Sequence, residues 1–383
     1  MDKQSFDITV KTLQGLEEIL RTELEDLGAK KVRISKRACL AQVDKETLYK
    51  ANLHLRTAVR ILKPFYEFVA FDEHRLYKKI KSFDWTELMD LDTTFAIDST
   101  VNSTRFKHSK YVALKIKDAI VDQFREKYGK RPSIDTQNPD LRLHAFCNST
   151  NFSLSLDSSG DALYKRGYRM QGHKAPLSEV LGAGLVLLTG WNGDVPLYDP
   201  MCGSGTIAIE AAMIACNMPP NFKRNSFGFQ KWKNFDKVLW NRIIKEAKDN
   251  ISMEGKKIYA SDISEKAVNL SKESVNLMGL KSVVSVKRTE FASVLPHSKQ
   301  GVIVMNPPYG ERLKEDEIND FYSSIGDTLK KKFEGYDAWI FSGNKDAIKR
   351  VGLKTSKKLQ LTNGAIECKF HKYELYKGSK KEI

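Results

Sequence analysis

Residues 198–210, YDPMCGSGTIAIE, join the end of an apolar run to a helical run through a loop that contains two glycines. Asp199 closes the apolar run, and Thr206 starts the residues with helical spacing. Gly203 and Gly205 permit a tight turn and let a ligand approach the backbone closely. A buried strand, a glycine loop and a helix in this order predict one unit of an open α/β sheet, in which ligands bind beyond the carboxyl ends of the strands.

The rest of the C-terminal half repeats this alternation. Helical stretches separate short apolar runs in DVPLYDP, KKIYASD, VVSVKRTE, GVIVMNPP and DAWIFSG. Strands that are buried on both faces and alternate with helices predict a doubly wound, mostly parallel sheet. The last segment differs, because Asn363-Gly364 lies between two strand-like runs and predicts a final antiparallel hairpin.

The N-terminal half has the pattern of smaller α+β folds. Strand-like and helical runs alternate first, and a second α+β block with interleaved basic and aromatic residues follows. The link KRGYRMQGHKAPLSE, which contains two glycines, Pro176 and clustered basic residues, then marks a boundary. We therefore predict three parts, which comprise residues 1–65, 66–163 and 164–383.

The charge and composition of the chain restrict its partners and its compartment. The 383 residues include 63 Lys and Arg against 48 Asp and Glu, a formal net charge of +15. Such an excess favours a polyanion such as nucleic acid, because each neutralised phosphate releases a counterion, although a solvated lysine-rich surface is an alternative explanation. No membrane span or signal-like apolar segment is present in the sequence. The five scattered cysteines lack metal-ligand or disulfide spacing, so we expect a cytoplasmic protein without a metal site.

The glycine loop does not have the pattern of a phosphate-binding site. It lacks the lysine of GxxxxGK[ST], and neither a third glycine nor a suitably spaced acidic residue completes a dinucleotide fingerprint. S-adenosylmethionine has no phosphate, and its charged amino-acid end and ribose diol suit Asp199 and Asp262. Glu290 and Phe291 follow the third strand and are candidates for adenine contacts. The predicted cofactor-binding residues are Asp199, Cys202, Gly203, Gly205, Thr206, Asp262, Ile263, Glu290, Phe291 and Asn306.

A second loop, NPPY, follows the apolar run that ends at Met305. Each proline lacks an N–H and forces the preceding residue into extended geometry, so this loop offers mainly hydrogen-bond acceptors. The Asn306 side-chain oxygen and the Pro307 carbonyl suit the two hydrogens of an exocyclic amine, and Tyr309 can stack on a flipped base. We predict that Asn306, Pro307, Pro308 and Tyr309 form a catalytic loop, in which positioning supplies most of the rate.

These motifs resemble those of a known family. DPMCGSGTIAIEAA and NPPYGERL resemble the THUMP-domain guanine-N2 RNA methyltransferases, particularly the bacterial large-subunit rRNA enzymes, and LYKRGYR with HKAPLSEVLGAG is similar to their linker and first helix. The resemblance covers nearly the full chain. It implies a ferredoxin-like N-terminal region, an RNA-binding THUMP domain and a Rossmann-like class I methyltransferase domain. It also implies that S-adenosylmethionine is the cofactor and S-adenosylhomocysteine the product.

The predicted activity is therefore methylation of the N2 amine of a guanosine in 23S rRNA. The same reaction on tRNA is the nearest alternative, and which guanosine is modified stays open. A DNA adenine-N6 methyltransferase also uses an NPPY-type loop but normally has a target-recognition domain after or within its catalytic half. A glutamine-modifying protein methyltransferase would not need so basic a chain. A non-catalytic RNA-binding assembly factor is the alternative from another class, and it predicts RNA binding that does not depend on Asn306.

Overall fold

The computed structural model describes residues 5–169, 177–308 and 315–376. Within these ranges the strands form two seven-stranded sheets, one in each half of the chain. This arrangement confirms the predicted α/β class, with α+β structure in the N-terminal half. The limits of the three predicted parts stay a prediction.

The first sheet has the order β2-β3-β1-β4-β7-β6-β5, and only β5 and β6 run parallel to each other. Its strands are β1 (Phe6–Lys11), β2 (Lys30–Ser35), β3 (Ala38–Val43), β4 (Arg60–Val69), β5 (Phe95–Asn102), β6 (Leu141–Asn148) and β7 (Asn151–Asp157). The helices of this half are α1 (Glu17–Asp26), α2 (Lys45–His54), α3 (Glu73–Ser82) and α4 (Ser109–Tyr128). Strand β4 pairs with β1 on one side and with β7 on the other, so one sheet extends through both N-terminal α+β blocks.

The second sheet has the order β10-β9-β8-β11-β12-β14-β13. Its strands are β8 (Leu197–Asp199), β9 (Ile258–Asp262), β10 (Val284–Arg288), β11 (Gly301–Met305), β12 (Tyr336–Ser342), β13 (Lys357–Asn363) and β14 (Ile366–Glu374). The helices are α5 (Glu179–Leu188), α6 (Thr206–Ala215), α7 (Lys237–Asp249), α8 (Glu265–Met278) and α9 (Glu315–Lys332). The first five strands in this order are parallel, and β14 and β13 are antiparallel, as predicted.

The final hairpin is confirmed, but its turn lies one residue later than the Asn363-Gly364 prediction. Asn363 pairs with Ile366, which leaves Gly364 and Ala365 as the two loop residues. Gly364 has φ 60° and occupies the first of the two loop positions. A two-residue type II′ turn has a positive φ at this position and prefers glycine there. The pairing therefore extends through Asn363, and Gly364 supplies the positive φ of the turn.

A segment of the C-terminal half packs on the core of the first half. Phe229 stacks on Tyr49 of α2 with ring centroids 4.2 Å apart, and Trp240 of α7 meets Tyr49 edge-on at 6.2 Å. A buried polar group supports the same junction, because Arg166 lies 3.5 Å from the Glu210 carboxylate and donates to the Arg56 carbonyl. These contacts fix the two halves against each other around a shared apolar and polar boundary.

Other properties of the described residues agree with this picture. None of their helices has the length and hydropathy needed to cross a bilayer. All five cysteine thiols are free and buried. No cluster of three or more His, Cys, Asp or Glu side chains within the described ranges has the geometry to hold a metal ion.

Candidate cofactor and substrate site

The carboxyl ends of four neighbouring parallel strands bring the predicted polar residues to one edge of the second sheet. Strands β10, β9, β8 and β11 are adjacent in this order. Asp199 ends β8, Asp262 ends β9, Glu290 follows β10 and Asn306 follows β11. This edge is where an open α/β sheet binds its ligands.

The glycine loop between β8 and α6 is held by backbone hydrogen bonds. The N–H of Cys202 donates to the Ser261 carbonyl at 2.9 Å, and the N–H of Gly205 donates to the Cys202 carbonyl at 2.7 Å. Gly203 and Gly205 have φ 52° and 82°, in the left-handed region that favours glycine. The loop therefore depends on glycine at both positions.

The two glycines differ in their surroundings. A Cβ on Gly205 would lie 2.2 Å from the Ser271 hydroxyl oxygen of α8, so this glycine serves close packing. A Cβ on Gly203 would have no described atom within 4 Å. Gly203 therefore faces open space beside the sheet edge, where a ligand can approach the backbone.

The Asp262 carboxylate joins β9 to the glycine loop. Its Oδ2 accepts the Gly203 N–H at 2.9 Å, and its Oδ1 accepts the Ser264 N–H at 2.9 Å. The side chain is half-buried. Because a carboxylate oxygen can accept more than one hydrogen bond, this orientation leaves acceptor capacity for hydroxyl donors from the solvent side.

Asp199 is completely buried, and neither carboxylate oxygen has a hydrogen-bond partner in the described chain. Burial raises the pKa of Asp199 to about 8. The nearby Ala208 and Met201 N–H groups lower this pKa, and the Asp262 charge raises it. Neither N–H has the geometry of a hydrogen bond to the carboxylate. Such a buried acceptor is costly unless a donor meets it.

Asn306 presents a similar unsatisfied group at the end of β11. Its Oδ1 is buried and has no hydrogen-bond partner among the described residues. Pro307 is buried, and the Pro308 carbonyl accepts the Tyr322 hydroxyl at 3.4 Å. Tyr322 also shares a 2.8 Å hydrogen bond with Ser342 of β12, so α9 and β12 support the second proline. Tyr309, the fourth residue of the predicted loop, lies outside the described residues.

The remaining predicted cofactor residues divide into exposed and buried side chains. Ile263 is 67% exposed directly after Asp262, and Glu290 is also exposed, so both can contact a ligand at the edge. The Cys202 thiol is buried, and burial raises its pKa well above the ordinary value. The ring of Phe291 is buried and stacks on Phe333 at 5.8 Å. A contact of Phe291 with adenine would therefore come from its backbone, and its role stays a prediction.

Arg169 and Glu179 lie beside the glycine loop, although no sequence motif indicated them. An Arg169 Nη atom donates to the Thr206 hydroxyl at 3.2 Å, and the Arg169 Nε lies 3.1 Å from the Glu179 carboxylate. Burial raises the pKa of Glu179 to about 7, while the Arg169 charge lowers it. Arg169 is 37 positions before Thr206 in the chain, so no local motif connects the two residues.

Models of three known protein domains match this chain. The model of the RMKL-like methyltransferase domain matches residues 166–372, more than half of the chain. The chain belongs to the RMKL-like methyltransferase family. The models of the THUMP domain and of the RlmL ferredoxin-like domain match residues 70–157 and 7–62. The predicted resemblance to THUMP-domain RNA methyltransferases is confirmed at the level of the family.

Individual relatives of this RMKL-like methyltransferase cover most of its length. A putative RNA methyltransferase of Synechocystis sp. is 37% identical over 98% of this chain and 100% of its own. The ribosomal RNA large subunit methyltransferase K/L of Syntrophotalea carbinolica is 37% identical over 94% of this chain, which spans 52% of that protein. A solved putative methyltransferase complexed with SAH superposes with a TM-score of 0.88 at 28% identity, over 99% of this chain and 100% of that one.

Proposed function

We propose that this protein uses S-adenosylmethionine to methylate the exocyclic N2 amine of a guanosine in large-subunit ribosomal RNA. The observation that carries the proposal is a group of three buried acceptor oxygens without partners in the described chain: both carboxylate oxygens of Asp199 and the Oδ1 of Asn306. They belong to the ends of adjacent strands β8 and β11. Buried acceptors of this kind suit ligands that bring hydrogen-bond donors.

The residues at the glycine loop fit S-adenosylmethionine. This cofactor brings an ammonium group and two ribose hydroxyls as donors, and the edge offers Asp262 and Asp199 as acceptors. Without ligand, burial raises the pKa of Asp199 to about 8, and the charge of a bound ammonium would favour its ionised form. It has no phosphate, in agreement with the absence of a lysine after the glycines. The space beside Gly203 would accommodate a ligand against the backbone. When bound, the cofactor supplies a methyl group that its sulfonium already activates.

The NPPY loop would hold the amine that receives the methyl group. The Asn306 Oδ1 and the Pro307 carbonyl would accept the two amine hydrogens and so direct the nitrogen lone pair towards the cofactor. Neither proline has an N–H, so the loop has few donors that would compete for these acceptors. The Tyr322 hydroxyl donates to the carbonyl of Pro308 behind this arrangement, and Ser342 in turn bonds the Tyr322 hydroxyl. We assign Tyr309 to stacking on the flipped base, by the mode that base-modifying enzymes use.

Three observations support RNA as the substrate. The chain carries a formal net charge of +15, its N-terminal half matches the THUMP and RlmL ferredoxin-like models, and its relatives are named as RNA methyltransferases. The name of the Syntrophotalea relative specifies large-subunit ribosomal RNA, and we extend this substrate to the present protein. In this proposal residues 1–65 and 66–163 bind RNA and residues 164–383 carry out methyl transfer.

Methyl transfer from labelled S-adenosylmethionine tests the proposal directly. Unmodified 23S rRNA, tRNA and duplex DNA would be offered in parallel to the wild-type protein, Asn306→Ala and Asn269→Ala. Asn269 is exposed on α8 and provides the matched control. We expect N2-methylguanosine in 23S rRNA from the wild type and the control, and at least ~100-fold less from Asn306→Ala, since removal of one transition-state hydrogen bond commonly has this effect.

Each other outcome has a distinct meaning. Label only in tRNA would retain the mechanism and replace the substrate. Label on adenine would overturn the base assignment. RNA binding without methyl transfer to any of these nucleic acids would favour the non-catalytic assembly factor.

A further inference from the structure

One face of the first sheet forms a large groove, which is lined by strands and by the loops that connect them. On β6, Leu143 and Ala145 point into the apolar core with the helices, whereas His144 and Phe146 point to the other side. On β1, the same alternation sends Lys11 to the groove. The groove has a volume of about 1410 Å³. This exceeds the volume of a typical small-molecule pocket and suits an extended chain.

The lining of this groove is strongly basic. Asp7 and Glu67 are the acidic side chains among its lining residues. Burial lowers the pKa of Lys11, and the nearby Arg37 charge lowers it further. Arg60 forms an ion pair with Asp157. The cations are Lys11, Lys31, Arg33, Lys36, Arg37 and Arg60.

Phe146 offers an aromatic surface within this basic lining. Its side chain is 37% exposed, and the Lys11 ammonium lies 5.6 Å from its ring centroid. Its cross-strand neighbours are Thr100 on β5 and Ser153 on β7. Because both neighbours are small and polar, they leave the ring accessible between them.

The backbone at the rim of the groove supports a functional role for two of the cations. Lys31 and Arg37 have φ 52° and 54°, although neither is glycine. Lys36 and Arg37 are the two loop residues between the paired Ser35 and Ala38. Left-handed geometry at such side chains costs stability, and residues held in it cluster at functional sites. At the second loop position of this turn, Arg37 therefore stands where glycine or asparagine would be the more stable choice, and Lys36 adds a second positive charge to the same turn.

We propose that this groove binds a single-stranded segment of the RNA substrate, with its phosphates at Lys11, Arg33 and Arg37 and one base stacked on Phe146. Stacking on Phe146 requires an accessible base face, which a single strand offers and a duplex hides. The groove extends over strands of both N-terminal blocks, so they bind this segment together. The inference rests on RNA as the substrate in the proposed function.

Fluorescence anisotropy with a labelled 12-nucleotide oligouridine and the full-length protein tests this groove. Phe146→Leu retains an apolar side chain without an aromatic face, and we expect roughly 5- to 100-fold weaker binding. Phe146→Trp is expected to bind as well as the wild type. Lys11→Gln should weaken binding and reduce the slope of log affinity against log salt by about 0.7. Lys78→Gln, an exposed charge on α3, is the matched control and should bind normally.

Two results would overturn the proposal. One is equal affinity of Phe146→Leu and the wild type for oligouridine, and the other is a duplex of the same length that binds at least as tightly and with the same dependence on Phe146. Titration with S-adenosylhomocysteine separates this groove from the proposed function. If the wild type fails to bind S-adenosylhomocysteine, the proposed function is wrong, whereas normal titration in Phe146→Leu together with weaker oligouridine binding supports the groove.

Discussion

The carboxylate of Asp262 accepts the backbone N–H of Gly203 at 2.9 Å, although the two residues are 59 positions apart in the chain. One residue at the end of β9 thus orients the loop that follows β8. The second oxygen of the same carboxylate accepts the Ser264 N–H and so holds the side chain in place. The loop and the predicted ribose-binding group form one unit.

Asp262→Asn tests this unit. The amide replaces one acceptor oxygen by a donor, so the variant loses either the Gly203 bond or the Ser264 bond and weakens the ribose contact. We expect S-adenosylhomocysteine to bind roughly 10- to 100-fold more weakly by calorimetry, since a hydrogen bond to a charged group contributes ~1.5–3 kcal/mol. Glu265→Gln, an exposed neighbour that pairs with Arg288, is the control. Unchanged affinity in Asp262→Asn would remove Asp262 from the binding site.

Alanine substitutions at the two loop glycines should show which glycine serves close packing and which serves the approach of the ligand. Gly203→Ala introduces left-handed strain of about 1–2 kcal/mol and places a methyl group in open space, so cofactor binding should suffer more than stability. Gly205→Ala adds a clash with Ser271 to the same strain and should lower the free energy of unfolding further. Thermal unfolding and S-adenosylhomocysteine titration of both variants provide the measurements.

The double variant Gly205→Ala/Ser271→Ala is the control for the clash. It removes the hydroxyl that meets the new methyl group, and it should recover part of the lost stability but not the strain. If Gly203→Ala binds S-adenosylhomocysteine like the wild type, the open space beside Gly203 is not used by the ligand.

The buried Asp199 carboxyl predicts a specific dependence of stability on pH. Its pKa rises from the ordinary 3.8 to about 8 on folding, so between these values the folded protein holds a proton that the unfolded chain has released. The free energy of unfolding therefore falls as pH rises through this window, by up to ~1.4 kcal/mol per pH unit, and this loss ends above pH 8. Denaturant unfolding from pH 5 to 9 in the absence of ligand measures the effect.

Asp199→Asn should remove this contribution. Because Glu179 and the other titrating groups remain, the difference between variant and wild type isolates Asp199. We expect the free energy of unfolding of Asp199→Asn to increase relative to that of the wild type as the pH rises towards 8. Parallel pH profiles for the two proteins would show that Asp199 is already charged in the folded state.

Local patterns in the sequence were sufficient for the architecture of the second sheet. The apolar run before Asp199, the glycines of the loop and the helix from Thr206 predicted a strand–loop–helix unit correctly, because each feature depends on neighbouring residues. Asp199, Asp262 and Asn306 each follow a parallel strand, and the carboxyl ends of parallel strands lie at the same edge of the sheet. Their assignment to cofactor and substrate stays a prediction.

Features that depend on distant residues required the tertiary structure. Phe229 packs on Tyr49 across the two halves, and Arg169 reaches Thr206, although no periodicity in the chain connects these partners. The ring of Phe291 turned out to be buried against Phe333, because the packing of α9 decides which side chains after β10 remain accessible.

The sequence by itself thus determined the chemical groups of this protein and the strand ends that carry them, since periodicity and turn residues act over a few positions. Only the tertiary structure decided that the Asp199 and Asn306 oxygens are buried without partners among the described residues, and that Phe146 stands among basic side chains on an open sheet face. Burial and charge proximity depend on which segments meet in space, and those meetings are set by the packing of the whole chain.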